Sequence, residues 1–215
     1  MNRRTSGPLI AAALLASVLT GCGGAAPAAA PAAPAAPSGK AGATASAPPA
    51  VTPTSAPAAP GTAAPMAASA PVRVRIPAAG VDASPLLSLG LAADGTVEVP
   101  SVADGDKIGW YDKGVTPGET GPAVLIGHFD TVRGPAVLKD VSKVRAGDEV
   151  TVSRKDGGTA VFRVRELEQV DKKRFPTEKV YGNTARPELR VITCGGEITD
   201  GHRPDNIILY ADLVG

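Results

Sequence analysis

The pattern of apolar and polar positions changes abruptly near residue 71. Residues 72–76 (VRVRI) alternate strictly, which is typical of a half-buried β-strand. Further short runs of β-forming residues follow, separated by Gly, Pro and Asp, at 86–91, 96–99, 123–126, 149–153, 159–167, 189–194 and 206–213. Only one or two helical turns are expected, at 136–144. Many short strands with turns between them predict an all-β sandwich or barrel over residues 71–215.

Residues 23–70 show no such pattern and consist almost entirely of Ala, Pro, Gly, Ser and Thr. Proline recurs every few residues, which prevents an alanine helix from nucleating. Nothing in this segment offsets the entropy of ordering the backbone by burial. We therefore expect a disordered N-terminal tether ahead of the folded domain.

Residues 1–22 have the features of an export signal. Arg3 and Arg4 precede an apolar run at 9–19 that is too short to span a bilayer as a helix. The last four residues, LTGC, match a lipobox, after which a bacterial lipoprotein is cleaved and acylated on its cysteine. The sequence thus predicts a signal peptide over 1–22, lipidation of Cys22 and attachment to the outer face of the cell membrane. An ordinary signal peptide with cleavage nearby is the alternative.

Composition excludes several classes of function. The net charge of +1 gives no indication of nucleic-acid binding or of a charge-driven membrane surface. No phosphate-binding glycine loop is present, and no cofactor is expected. Beyond the tether the chain has Cys194, His128 and His202, which lack the closely spaced ligand pairs of structural zinc sites, so no metal is expected.

Cys194 is the residue most suited to chemistry. If Cys22 carries lipid, Cys194 has no disulfide partner and is either buried and inert or reactive. It ends an apolar strand and is followed by a glycine-containing loop with Arg203, and His128 follows another apolar strand. An ordinary cysteine is only about 3% thiolate at pH 7. A neighbouring imidazole and guanidinium are two ways to favour the anion.

These motifs resemble the sortases, the cysteine transpeptidases of bacterial cell surfaces. The resemblance rests on residues 127–130 (GHFD), residues 192–194 (ITC) and Arg203 ahead of an apolar strand. Segments outside this constellation resemble the class F sortases of actinobacteria, namely 117–119, 121–128, 147–150, 181–182 and 194–196. The resemblance covers residues 72 to 213. The sequence departs from the family's usual TLxTC motif, of which only Thr193 and Cys194 remain. It also has a lipobox where a transmembrane anchor is more usual in the family.

The resemblance implies a closed β-barrel of about eight strands with short helices or turns. It implies that Cys194 is the nucleophile, that His128 is the general acid/base, and that Arg203 stabilises substrate and oxyanion. Cys194 would cleave a sorting-signal peptide through a thioacyl enzyme, and a cell-wall amine, or water in a side reaction, would resolve it. Asp130, Thr131 and Thr193 are candidates for the substrate groove. For Asp130 and Thr131, orientation of His128 and a structural role in the loop are alternatives.

Other hypotheses stay open from the sequence. His202 is a rival base beside Arg203, and Arg174, Arg186 and Arg190 are rival cations. Arg190 is expected on the outward face of its strand. The domain could also be a catalytically silent sortase-like barrel that acts as a lipid-anchored binding module. A third hypothesis is a structural lipoprotein in which Cys194 is simply buried.

Overall fold

The computed structural model describes residues 63–215. The predicted signal peptide with Cys22, and the part of the predicted tether before residue 63, lie outside the described residues. Among those described, no helix has the length and apolarity needed to cross a bilayer.

The described chain folds around one sheet of nine strands, in the order β2-β1-β8-β9-β11-β10-β5-β4-β3. A separate two-stranded ribbon, β6-β7, follows β5. The bounds of the strands are β1 Pro71–Ile76, β2 Val81–Ala83, β3 Leu87–Leu89, β4 Ile108–Tyr111, β5 Gly121–Gly127, β6 Asp130–Thr131, β7 Gly134–Pro135, β8 Glu149–Arg154, β9 Thr159–Asp171, β10 Pro187–Gly195 and β11 Asp205–Leu213.

The prediction of an all-β fold is confirmed, but the prediction of a closed barrel of about eight strands is wrong. The sheet is curled and open, and its edges are β2 and β3, which are three residues long and do not pair with each other. Such short edge strands offer few backbone groups for pairing, so closure of the sheet by β2 and β3 is not favoured. The expected strand at 96–99 is reduced to a single bridge between Leu91 and Val97.

Helix is scarce in the described residues. One short α-helix, α1, spans Thr177–Tyr181 in the connection from β9 to β10. Short 3-10 turns occur at Pro77–Ala79, Val102–Asp104, Val141–Lys143 and Lys172–Arg174. The turn at Val141–Lys143 lies within the segment where one or two helical turns were expected.

Both faces of β5, β10 and β11 are largely buried. The concave face packs the larger core, which includes Val74, Phe162, Leu189 and Leu209. The opposite face packs a second cluster of seven buried residues, namely Leu89, Val124, Ile126, Val180, Ile192, Ile208 and Tyr210. This explains why β5 is a continuous apolar run and why β10 is almost wholly buried although it carries Glu188 and Arg190.

Arg190 is a charged side chain that is buried on this second face. It lies on the second face, as the alternation predicts, but it is only 1% exposed. Its Nη2 donates to Glu188 Oε2 at 2.7 Å, its Nε donates to the carbonyl of Lys179 in α1, and it stacks on the ring of Tyr210. The expectation of an outward position is therefore corrected, because α1 and its flanking loop cover this face.

Residues 63–70 run along the domain as an extended strap. Met66 N donates to Gly118 O at 2.8 Å, and Ala63 N donates to Leu213 O at 3.1 Å. The side chain of Arg154, 2% exposed, donates to the carbonyl of Ala67. Residues that composition assigns to the tether thus make specific hydrogen bonds to the folded domain.

Candidate active site

Cys194 is the eighth residue of β10 and lies on the same face as Ile192. It is half-buried, so the structure does not enclose it in the core. The following Gly196 has φ of +79°, and a Cβ there would lie 2.9 Å from Asp205 Oδ2. Only glycine fits this turn, which carries the chain from β10 to the Arg203 loop.

His128 follows β5 immediately and is level with Cys194. Strands β5 and β10 are parallel neighbours with Ile126 opposite Ile192, so residues 128 and 194 occupy matching positions when the register is continued. His128 Nε2 lies 2.7 Å from the carbonyl oxygen of Pro100. Because a carbonyl only accepts, Nε2 carries a proton, and Nδ1 is the nitrogen that can exchange one.

Arg203 is held by three hydrogen bonds. Its Nε and Nη2 donate to Asp130 Oδ2 at 2.9 and 2.7 Å, and its Nη1 donates to the carbonyl of Gly196. Its guanidinium also lies 4.4 Å from the ring centroid of Phe129. The side-chain hydrogen bonds with Asp130 raise the pKa of Arg203, burial opposes this, and the negative charges of Asp130 and of an ionised Cys194 add to the increase. The bond to Gly196 places the guanidinium at the turn that follows Cys194.

Lys172 is a residue at this site that the sequence did not single out. Its Nζ lies 3.4 Å from Cys194 Sγ. The sequence places it at the start of a polar loop after a strand, and no local pattern distinguishes it from Lys173. Its proximity to Cys194 depends on the pairing of three strands, which the sequence alone does not specify.

A groove lies on the same face of the sheet as Cys194, but Cys194, His128 and Arg203 do not line it. It has a volume of about 900 Å³, and its wall includes Val97, Tyr111, Val124, Phe175 and Tyr181. Val124 lies on β5, four residues before His128, which corresponds to about 13 Å of extended chain. The groove is therefore a candidate to hold an extended peptide whose end reaches Cys194.

The remaining groove candidates have different positions. Asp130 pairs with Arg203, and no hydrogen bond to His128 is present. Thr131 is partly buried in the β6-β7 ribbon, where its Oγ1 accepts from Arg133 N at 3.1 Å. Thr193 is 3% exposed and faces the concave core beside Ile207, opposite to the face of Cys194. The structure thus places Thr193 in the interior and not in the groove wall.

No group of His, Cys, Asp or Glu side chains among residues 63–215 has the arrangement of a metal site. The chemistry available to the described site is that of a thiol with an imidazole and two cations.

Comparison with protein families agrees with this arrangement. The family model described as "Sortase domain" matches residues 74–214, which include Cys194, His128 and Arg203. The chain belongs to the sortase family. Sortases are cysteine transpeptidases that act on proteins bearing sorting signals and on amine acceptors. No curated protein matches the chain.

Solved sortases share the fold of this sortase domain at low sequence identity. Sortase D5 of Clostridium perfringens has a TM-score of 0.52 at 20% identity, covering 68% of this chain and 79% of its own. A lid mutant of sortase A from Corynebacterium diphtheriae has a TM-score of 0.53 at 14% identity, covering 70% and 73%. A lid mutant of Streptococcus agalactiae sortase C1 has a TM-score of 0.51 at 18% identity, covering 66% and 67%.

The rival candidates lie in other environments of this sortase domain. Arg186 and Arg190 both donate to Glu188, and Arg174 is exposed in the loop after β9. His202 is exposed in a tight turn, where its backbone pairs with Thr199. Of these four arginines, Arg203 is the one that is bonded to the turn after Cys194.

Proposed function

We propose that this sortase domain cleaves a sorting-signal peptide through a thioacyl intermediate on Cys194 and transfers the acyl group to a cell-wall amine. The observation that carries the proposal is that Cys194 ends β10, that His128 follows the end of the adjacent parallel strand β5, and that Arg203 is bonded to the turn after Cys194. Hydrolysis by water is the side reaction.

The geometry supports a role for each residue. The Cys194 thiolate attacks the scissile carbonyl, and His128 Nδ1 protonates the departing amine. Nε2 keeps its bond to the Pro100 carbonyl in both protonation states, so this bond holds the ring in place while Nδ1 exchanges its proton. An incoming amine then attacks the thioacyl carbon, passes its proton to His128 Nδ1 and releases the thiolate.

Arg203 suits the stabilisation of the oxyanion. A guanidinium has five N–H groups, of which three are used by Asp130 and Gly196. Two N–H groups remain for the developing negative charge. Asp130 thus orients the guanidinium and leaves donors for the substrate.

The test is cleavage of a fluorogenic peptide library by wild type, Cys194→Ala and His128→Ala, with and without an added amine. We expect no cleavage by Cys194→Ala and at least about a hundredfold loss for His128→Ala. With the amine present, mass spectrometry should show the amide product in place of the acid. Equal cleavage by wild type and Cys194→Ala would falsify the proposal.

A silent binding module in the same fold is the second candidate. The observation that favours it is the engagement of Arg203 by Asp130, which neutralises its charge. A module of this kind would bind a peptide from the library with the same affinity in wild type and Cys194→Ala and would cleave none of them.

We further propose that the chain is a class F sortase anchored to the outer face of the cell membrane through lipidated Cys22. The class assignment is supported by the motifs at 117–128 and 194–196, and the anchor by the lipobox at 19–22. In cells, Cys22→Ala should move the protein from the membrane fraction to the soluble fraction. Retention of Cys22→Ala in the membrane fraction would contradict the lipid anchor.

A further inference from the structure

Lys172 is held against Cys194 by the backbone as well as by its side chain. It follows the last residue of β9, where Asp171 pairs with Asp205, and its N–H donates to the carbonyl of Pro204 at 3.0 Å. One position further along β11, Asn206 pairs with Cys194. The pairing of three adjacent strands therefore fixes the backbone position of Lys172. The side-chain Nζ of Lys172 lies 3.4 Å from the sulfur of Cys194.

The charged groups around the sulfur of Cys194 differ in whether they already have a partner. Arg203 is paired with Asp130. Asp171 accepts from Lys173 N, and Asp205 accepts from Gln169 Nε2. Within residues 63–215 Lys172 makes no ion pair with a carboxylate, and the contact of its ammonium is Cys194.

We propose that Lys172 is a further catalytic residue, whose ammonium stabilises the Cys194 thiolate in the free enzyme and again when the acceptor amine displaces it. The inference rests on the proposed thioacyl mechanism and adds a residue to it. In the forward step the thiol proton leaves to His128 or solvent, the S–C bond forms, and the peptide C–N bond breaks with the proton passing to the departing amine. In the second step the acceptor amine passes a proton to His128 Nδ1 as the new C–N bond forms, the S–C bond breaks, and the thiolate returns to Lys172.

A stabilised thiolate is more abundant but intrinsically less nucleophilic. With a Brønsted coefficient of about 0.4–0.5, each tenfold gain in thiolate fraction costs about threefold in reactivity of the anion. Loss of a stabilising cation therefore produces opposite effects at two pH values. The mutant reacts more slowly where thiolate is scarce and faster where ionisation is complete.

The experiment measures the rate of Cys194 alkylation by iodoacetamide, without peptide, from neutral pH to about pH 9.5, where an ordinary thiol is ionised and lysine is still charged. Iodoacetamide is neutral, so removal of a cation does not change its attraction to the site. The variants are Lys172→Met, Lys172→Arg and the matched control Lys173→Met, with Cys194→Ala as the blank. Circular dichroism checks that each is folded.

We expect Lys172→Met to react about threefold more slowly than wild type near pH 7 and about threefold faster at about pH 9.5. Lys172→Arg and Lys173→Met should follow wild type. High salt should reduce the difference, since Lys172 is exposed. Lys172→Met rates equal to wild type, or slower at every pH, would overturn the inference.

The outcome is independent of the proposed function. If wild type cleaves a peptide while Lys172→Met alkylates like wild type, transpeptidation stands and the role of Lys172 fails. If the rates cross over with pH but no peptide is cleaved, Lys172 stabilises the thiolate of a protein that is not the proposed enzyme.

Discussion

At the scale of single residues, the orientation of Arg203 depends on one carboxylate. Asp130 lies in the β6-β7 ribbon, opposite Pro135, and one of its oxygens accepts from both Nε and Nη2 of Arg203. Asp130 acts on the reaction through Arg203, which makes it a positioning residue. Asp130 contributes to catalysis by fixing the direction of the two N–H donors of Arg203 that have no partner among the described residues.

Asp130→Asn should lower kcat/KM for peptide cleavage about tenfold, because the amide oxygen still accepts a hydrogen bond but no longer carries a charge. Iodoacetamide alkylation of Cys194 should not be slowed, since the substitution leaves the positive charge of Arg203 in place. Steady-state kinetics and the alkylation assay measure these two effects.

A double-mutant cycle separates positioning from general damage. In an Arg203→Ala background, Asp130→Asn should have little further effect on kcat/KM. A full additional tenfold loss in that background would show that Asp130 acts by another route.

At the scale of elements, β10 carries a buried ionic cluster as well as the nucleophile. Glu188, 5% exposed, accepts from Arg165 and Arg190, each at 2.7 Å, and from Arg186 at 3.2 Å. Burial alone would raise the pKa of Glu188, but the hydrogen bonds and charges of Arg165 and Arg190 outweigh it and lower the pKa below its ordinary value.

Glu188→Gln should lower the free energy of unfolding at neutral pH by about 3 kcal/mol, because Arg190 is left buried without its counter-charge. The folded-state pKa of Glu188 lies below the unfolded value, so its contribution is complete above the unfolded pKa of about 4.3 and is lost as pH falls through the folded value. The difference in free energy of unfolding between wild type and Glu188→Gln should therefore decrease toward pH 3, as measured by urea titration.

Glu149→Gln serves as the matched control, since the Glu149–Arg163 pair is about half exposed on both sides. It should change stability little at any pH. A gap for Glu188→Gln that is equally large at neutral and acid pH would contradict an electrostatic origin.

Element patterns also show how far the sequence determined the structure. The strands at 72–76 and 189–194 were predicted because alternation and β-forming residues are local properties. The burial of Arg190 was not predicted, because it depends on α1 covering a face that alternation alone assigns to the outside. The approach of Lys172 to Cys194 was not predicted either. It depends on the β9-β11 register, which shifts at a bulge between Tyr210 and Ala211, and such shifts have no reliable pattern in one sequence.

At the scale of the whole molecule, the strap and the active site lie at opposite ends of the sheet. The strap contacts Gly118 before β5, Leu213 at the end of β11 and Arg154 at the β8-β9 turn. Cys194 is paired with Asn206, seven residues before Leu213 and about 23 Å along β11. The described chain therefore enters the domain at Ala63, at the end of the sheet away from Cys194.

This separation predicts that the strap contributes stability and not catalysis. A chain that begins at residue 71 should be about 2 kcal/mol less stable than one that begins at residue 63, because the buried Arg154 loses its acceptor at Ala67. Urea titration measures the difference, and Cys194 alkylation should be the same in both chains. In an Arg154→Met background the guanidinium is absent, so removing residues 63–70 should cost clearly less. An equal cost with and without Arg154 would assign the strap's contribution to its other contacts, and slower alkylation in the shorter chain would show that the two ends of the sheet are coupled.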